Sequence, residues 1–244
     1  MTRRSALLLA FAVVAAAVCV RLGVWQLARL DQRRARNATV VARLREPGVA
    51  PGALPADTSV VRYRRVRVLG RPDYAHEIVL IGRTRDGAPG VNIVTPLRVA
   101  GHDTAVLVNR GWVYSPNGAD VDLARWREED SLDVAGFVEI PSRREGASRL
   151  PSNPRAWRWL DPARLAHDAG YPVTPYYVTQ TLAPGATPDT ARPVRLAPPP
   201  LDEGPHLSYA LQWFSFAVIA LVGGARRTGR AVSGVAPGAS VCVT

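Results

Sequence analysis

Two stretches of this chain carry no charge and no polar alternation: Ser5 to Val20 (SALLLAFAVVAAAVCV) and Leu207 to Gly224 (LSYALQWFSFAVIALVGG). Sixteen residues at a helical rise of ~1.5 Å make roughly 24 Å, short of a hydrocarbon core of ~30 Å. After Arg21 the apolar helix formers resume as LGVWQLARL. A snorkelling Arg21 therefore lets the helix lengthen, and residues 5–28 are expected to form a first transmembrane helix. The second stretch makes ~27 Å on the same arithmetic. Tyr209, Trp213, Phe214 and Phe216 crowd its first half, as an interfacial aromatic belt would, and Arg226, Arg227 and Arg230 close it. Residues 206–224 are expected to form a second transmembrane helix, with 225–244 as a basic tail. Each has a rival reading: a secretory leader cleaved near Ala15–Ala17 for the first, a buried core helix for the second.

Between them the pattern shortens to strands. VRVLG (66–70), EIVLIG (77–82), GVNIVTPLRV (90–99), TAVLVNRGWV (104–113), DVAGFVEI (133–140) and YYVTQTL (176–182) are rich in β-branched and aromatic residues, with Gly, Pro and Asp between them. That punctuation predicts antiparallel hairpins. One short helix has clear ends: Asp161 to cap it, Pro162 in its first turn, Gly170 to stop it. Pro-rich stretches at 47–55, 184–193 and 198–205 read as connectors. The expected fold is a membrane protein in which two transmembrane α-helices flank one mainly antiparallel β (α+β) extracytoplasmic domain, residues 31–204.

Charge fixes the expected orientation. The formal charge is +11, and all 31 basic residues are arginine. Residues 1–30 hold four arginines and residues 205–244 three, neither with an acid, which leaves 24 arginines against all 20 acids in the middle. The excess flanks the apolar helices, where it suits anionic lipid and places both termini in the cytoplasm of a cell membrane. Arg29, Arg33, Arg34 and Arg36 oppose this, but they head a long segment, and long domains cross largely regardless of charge. The middle offers no dense basic face, so no nucleic-acid partner is expected.

Candidate chemistry is sparse. His76, His102, His167 and His206 show no metal-ligand spacing, and no G-x-S-x-G elbow or phosphate-cradling glycine loop occurs. Glu128-Glu129-Asp130 reads as a solvated face, so no enzyme is expected. Cys19 and Cys242 make no disulfide framework or zinc site, and with Met1 the only methionine, thiolate or thioether copper ligation lacks its ligands. What remains is the entrance to the second helix. His206, Tyr209, Trp213 and Phe216 fall at i, i+3, i+7 and i+10, on one helical face. A neutral imidazole can ligate iron, and flat aromatic walls suit a porphyrin. Equally, this is a histidine at a helix start beside interfacial aromatics, and spacing leaves both readings open.

HLSYALQWFSFA (206–217) resembles the second-span signature of the Surfeit locus protein 1 family, and LGVWQLARLDQRR (22–34) resembles its first-span signature. GVNIVTPL (90–97), VLVNRGWV (106–113) and NPRAWRWLDPARLA (153–166) are similar to its internal motifs, in the family's order. The resemblance covers roughly residues 22–220; residues 114–131 and the tail after Arg230 match nothing in it. It implies an assembly factor for haem-copper cytochrome c oxidase, with membrane lipid and the oxidase's catalytic subunit as partners. It also implies that haem a is bound and delivered, with His206 as the metal ligand. Tyr209 and Trp213 would then stand beside it by their helical spacing, and a guanidinium such as Arg29 suits a propionate carboxylate. A haem-free scaffold that steadies an oxidase subunit is the alternative. Structural roles are expected elsewhere: Gly23 for close helix approach, Trp25 and Gln26 facing the second helix, and Asn109, Arg110, Gly111 and Trp112 ending a strand and fixing a turn.

Overall fold

One helix, α1 (Arg3–Arg45), takes up the first apolar stretch and runs well past the expected end at residue 28. Residues 24–46 contain neither glycine nor proline, so nothing interrupts it until Glu46-Pro47-Gly48. Arg43 and Arg45 occupy its last turn, where cations complement the helix dipole. The computed structural model describes residues 3–55, 57–142, 146–183 and 185–232; Cys242 and the tail beyond Val232 lie outside them. The chain divides into two units, Met1–Thr39 with Leu201–Thr244, and Val40–Pro200.

In the first unit α1 pairs with the last helix, α4 (His206–Val232), which continues beyond the expected end at residue 224. The seam is made of small residues. Ala12, Ala16, Ala210 and Ala217 are buried, and a methyl on Gly23 would lie 2.5 Å from the Phe214 ring. A methyl on Gly224 would lie 2.8 Å from the Ala12 Cβ, so the helices run antiparallel and close. Gly23 does what was expected of it. Trp25 does not: it is 54% exposed and lines a shallow apolar recess with Arg21, Leu22, Val24 and Ala28. Both helices are long and apolar enough to cross a membrane, and only 17% and 11% of their most apolar windows are buried. A core helix would bury most of that surface. Instead Leu7, Phe11, Val14, Leu211 and Ile219 stand exposed, a continuous greasy exterior that water would not tolerate cheaply.

Among its described residues the second unit is a β structure of eight strands: β1 (Arg65–Pro72), β2 (Ile78–Arg85), β3 (Ala88–Arg98), β4 (Ala105–Tyr114), β5 (Leu132–Glu139), β6 (Arg149–Leu150), β7 (Asn153–Trp157) and β8 (Val173–Gln180). Their order is β1-β5-β8-β4-β3-β2-β7-β6, and a further β1–β3 pairing closes the first five into a ring. Inside lie Val66, Val68, Leu97, Val106, Val108, Val134, Val138 and Val178, the inward residues of alternating strands. Two helices complete it: the single turn α2 (Thr58–Val61), whose Val61 enters this core, and α3 (Pro162–Ala169). α3 is capped as expected, with Asp161 accepting from the Arg164 N–H at 3.1 Å and Gly170 left-handed at φ +73°. Its Leu165 packs with Ile78, Leu80, Leu107 and Trp157 on the outer face of the ring.

The sheet is mainly antiparallel, as expected; β2–β7 and β4–β8 are its parallel pairs, because each partner strand returns from a long excursion and not from a tight turn. One expectation needs correction. Asn109 to Trp112 lie inside β4 and end nothing. Gly111, at φ +135°, sits at a bulge in the β3–β4 register, where the absence of a Cβ admits the Val194 backbone beside Trp112.

Candidate functional site

The entrance to α4 is set by a short loop held against α1. The Asp202 Oδ1 accepts from the Gly204 N–H at 3.0 Å, an Asx turn that brings Gly204 to φ +67°. Arg33 donates through Nε to the Asp202 carbonyl at 3.1 Å and through Nη2 to its Oδ1 at 3.3 Å. Arg34 grips Glu203 with both forks, at 2.8 and 2.9 Å, and these bonds hold that carboxyl below its usual range. Asn37 donates to the Leu201 and Asp202 carbonyls. The arginines that opposed the expected orientation are thus the residues that fix where α4 begins. Pro205 then starts the helix, its carbonyl accepting from the Tyr209 N–H and the Ser208 hydroxyl.

This placement brings His206 to Gln26 of α1. The imidazole Nδ1 lies 2.9 Å from the Gln26 Oε1. An amide oxygen only accepts, so Nδ1 carries a proton, and in the neutral imidazole Nε2 presents the lone pair. A methyl built on Gly204 would touch the ring's Cδ2 at 3.4 Å and Nε2 at 3.5 Å, ordinary contact distances; glycine is favoured there by its φ of +67°. A half-buried histidine with its tautomer fixed by a neighbour and its other nitrogen open fits an axial ligand of haem iron. Among the described residues no cluster of three His, Cys, Asp or Glu side chains could hold a metal ion.

The other expected site residues are less tightly drawn in. Trp213 is half-buried and meets Phe216 edge to face, with ring centres 5.9 Å apart at 86°. Tyr209 is 47% exposed. Arg29 shares a face with Gln26, three residues before it, but is exposed and donates to the Gln32 Oε1 at 2.9 Å. Gln26 was expected only to face the second helix; its bond to His206 is the contact that spacing could not supply.

A second polar centre lies in the β unit. Arg110 is fully buried and donates to the Glu77 Oε2 at 2.8 Å, the Thr95 hydroxyl at 2.9 Å, the Trp126 carbonyl at 2.8 Å and the Glu128 Oε1 at 3.0 Å. Glu128 also takes Arg195 at 2.6 Å, so it is buried and paired and belongs to no solvated face. Burial pushes the Glu77 carboxyl upward, and Arg110 opposes that push. Among the described residues none of this cluster's side-chain atoms is buried without a partner, which marks a structural knot tying β4 to β3, to the start of β2 and to two loops. The signal in the sequence was a charged residue within the apolar run VLVNRGWV.

The chain matches the model of the SURF1 family over residues 13–218. It is 30% identical to a SURF1-like protein of Monosiga brevicollis over 82% of this chain and 79% of that protein. A SURF1-like protein of Rickettsia felis is 26% identical over 84% and 89%, and Surfeit locus protein 1 of Homo sapiens is 26% identical over 80% and 69%.

Proposed function

Because the chain belongs to the SURF1 family, we propose that it is a membrane-anchored assembly factor for haem-copper cytochrome c oxidase that holds haem a at His206 and passes it to the catalytic subunit. The observation that carries the proposal is the bond from His206 Nδ1 to Gln26 Oε1, which leaves Nε2 as the free ligand nitrogen. Haem a would supply an iron that a neutral imidazole can ligate. The protein would supply the rest. Gln26 would set the tautomer, and Tyr209 and Trp213 would offer flat apolar walls. Arg29, which donates to Gln32, would pair with a propionate carboxylate. In this reading α1 and α4 lie in the cell membrane, both termini face the cytoplasm, and the β unit is extracytoplasmic.

The test is purification from membranes in detergent, from cells that make haem a, with a visible spectrum and identification of co-purifying subunits on one sample. Wild-type protein is expected to carry haem absorbance, His206→Ala to lose it, and Gln26→Ala to reduce it. A spectrum that survives His206→Ala removes the ligand assignment. Haem-free wild-type protein that still co-purifies with the oxidase subunit establishes the scaffold instead.

A further inference from the structure

The outer face of the β ring carries a polar row that neither the core nor α3 covers. Arg83 of β2, Asn92 of β3, Asn109 of β4, Tyr177 and Thr179 of β8, and Glu139 of β5 follow one another in strand order across five adjacent strands. They line a cavity of about 290 Å³ with the 196–199 segment along its side. That is close to the lower end of the ~300–1,000 Å³ typical of small-molecule sites.

One donor in this cavity, the Arg83 Nε, is both buried and unsatisfied, and a second, the Asn109 amide, has no described acceptor. Asn109 is only 2% exposed; its Oδ1 accepts from the Gly111 N–H at 3.2 Å, and its Nδ2 donates to no described residue. The Nε of Arg83 is buried without a hydrogen-bond partner, and no carboxylate among the described residues pairs with that guanidinium. A buried donor left open in this way is rare and calls for an explanation. At the other end Glu139 receives the Thr179 hydroxyl at 2.5 Å. The row is therefore graded: an open N–H donor and a cation at the β2 end, a carboxyl group at the β5 end.

We infer that this cleft binds a small oxyanion, a carboxylate or phosphate group, held by the guanidinium of Arg83 with the side-chain amides of Asn92 and Asn109. The guanidinium fork matches two oxygens at once, and two amide N–H groups complete the shell of a group that has no protons of its own. Glu139 keeps the anionic end of the ligand at β2, by repulsion. The argument uses only the second unit and stands apart from the haem reading.

The experiment titrates the detergent-solubilised full chain at constant ionic strength with acetate in one arm and inorganic phosphate in another. The readout is the indole N–H resonance of Trp112, which donates to the Arg83 carbonyl at 3.3 Å. A saturable shift is expected with at least one anion; saturation with acetate alone assigns a carboxylate ligand, and with phosphate a phosphate-bearing one. Arg83→Gln is expected to weaken binding at least tenfold, while Arg85→Gln, which removes the same charge from a residue outside this cavity, changes it less than threefold. Asn92→Ala, at a half-buried position, gives a smaller loss and keeps the test decisive should Arg83→Gln not fold. Absence of saturation with both anions, binding unchanged by Arg83→Gln and by Asn92→Ala, or equal losses from Arg83→Gln and Arg85→Gln would each overturn the assignment.

Discussion

Replacing Arg110 with methionine keeps most of the buried side-chain volume and deletes the cation at the centre of the β unit's ion knot. Glu128 retains Arg195 and Arg192 as partners, but Glu77, 1% exposed, is left with the Thr95 hydroxyl alone as hydrogen-bond donor. Breaking a buried pair by removing one partner costs about 3–5 kcal/mol, a large share of the ~5–15 kcal/mol that holds a domain together. For a unit of this size that corresponds to a fall of roughly 6–20 °C in midpoint. Four tryptophans, at 112, 126, 157 and 159, lie in this unit, so denaturation followed by fluorescence reads it. The pH dependence separates a stranded charge from a packing defect. Burial already pushes the Glu77 carboxyl upward, and without Arg110 the main opposing influence is gone. A carboxyl whose folded pKa lies above its unfolded value of ~4.3 destabilises the fold once it ionises, so the deficit of Arg110→Met must be full at neutral pH and shrink as pH falls toward that value. A loss under about 1 kcal/mol, or one equal at pH 5 and pH 8, would refute the reasoning.

Two further outcomes follow from close contacts. Gly23→Leu drives a side chain into the Phe214 ring, so it should lower the thermal stability of the detergent-solubilised chain and open the 201–204 loop to protease; adding Phe214→Ala should recover much of the loss, and purely additive effects would remove this contact from the account. At Asp73, burial raises the carboxyl, but hydrogen bonds from the Tyr171 hydroxyl at 2.6 Å and the His76 ring at 2.7 Å outweigh it and leave the pKa below its usual range. A depressed carboxyl adds stability above its unfolded value of ~3.9 and loses it as pH falls. Asp73→Asn should therefore be less stable than wild type at pH 7, with the gap narrowing as pH falls below ~3.9, read by the same fluorescence melts.

Local chemistry made the elements legible. Six of the eight strands and the short helix α3 could be placed from β-branched runs and from the caps Asp161 and Gly170, because those signals are carried by neighbours in sequence. What eluded the pattern depends on partners far along the chain. β7 is short and begins Asn-Pro-Arg, poor strand residues, and is held as a strand by parallel pairing of Ala156 and Trp157 with β2. The burial of Glu128 is decided by Arg110, Arg192 and Arg195, which no window of the sequence brings together. The end of α1 was misjudged for another reason. Arg33, Arg34 and Arg36 read as heading the long segment after the first span, yet arginine is a good helix former, and only the proline and glycine after residue 46 end the helix.

The site shows the same division more sharply. Helical periodicity put His206, Tyr209 and Trp213 on one face and could go no further, since a histidine at a helix start has no chemistry until its ring nitrogens are told apart. That distinction comes from Gln26, 180 residues away in sequence. Gln26 reaches the ring because Asp202, Glu203 and the 201–202 carbonyls are clamped by Arg33, Arg34 and Asn37, two to three helical turns further along α1. The clamp is exposed and salt-sensitive, while the seam of Ala12, Ala16, Gly23, Ala210 and Ala217 is not. Raising ionic strength should therefore loosen the loop before it separates the helices. If His206 owes its tautomer to the loop, ligand competence must be lost first, with the helix pair still intact.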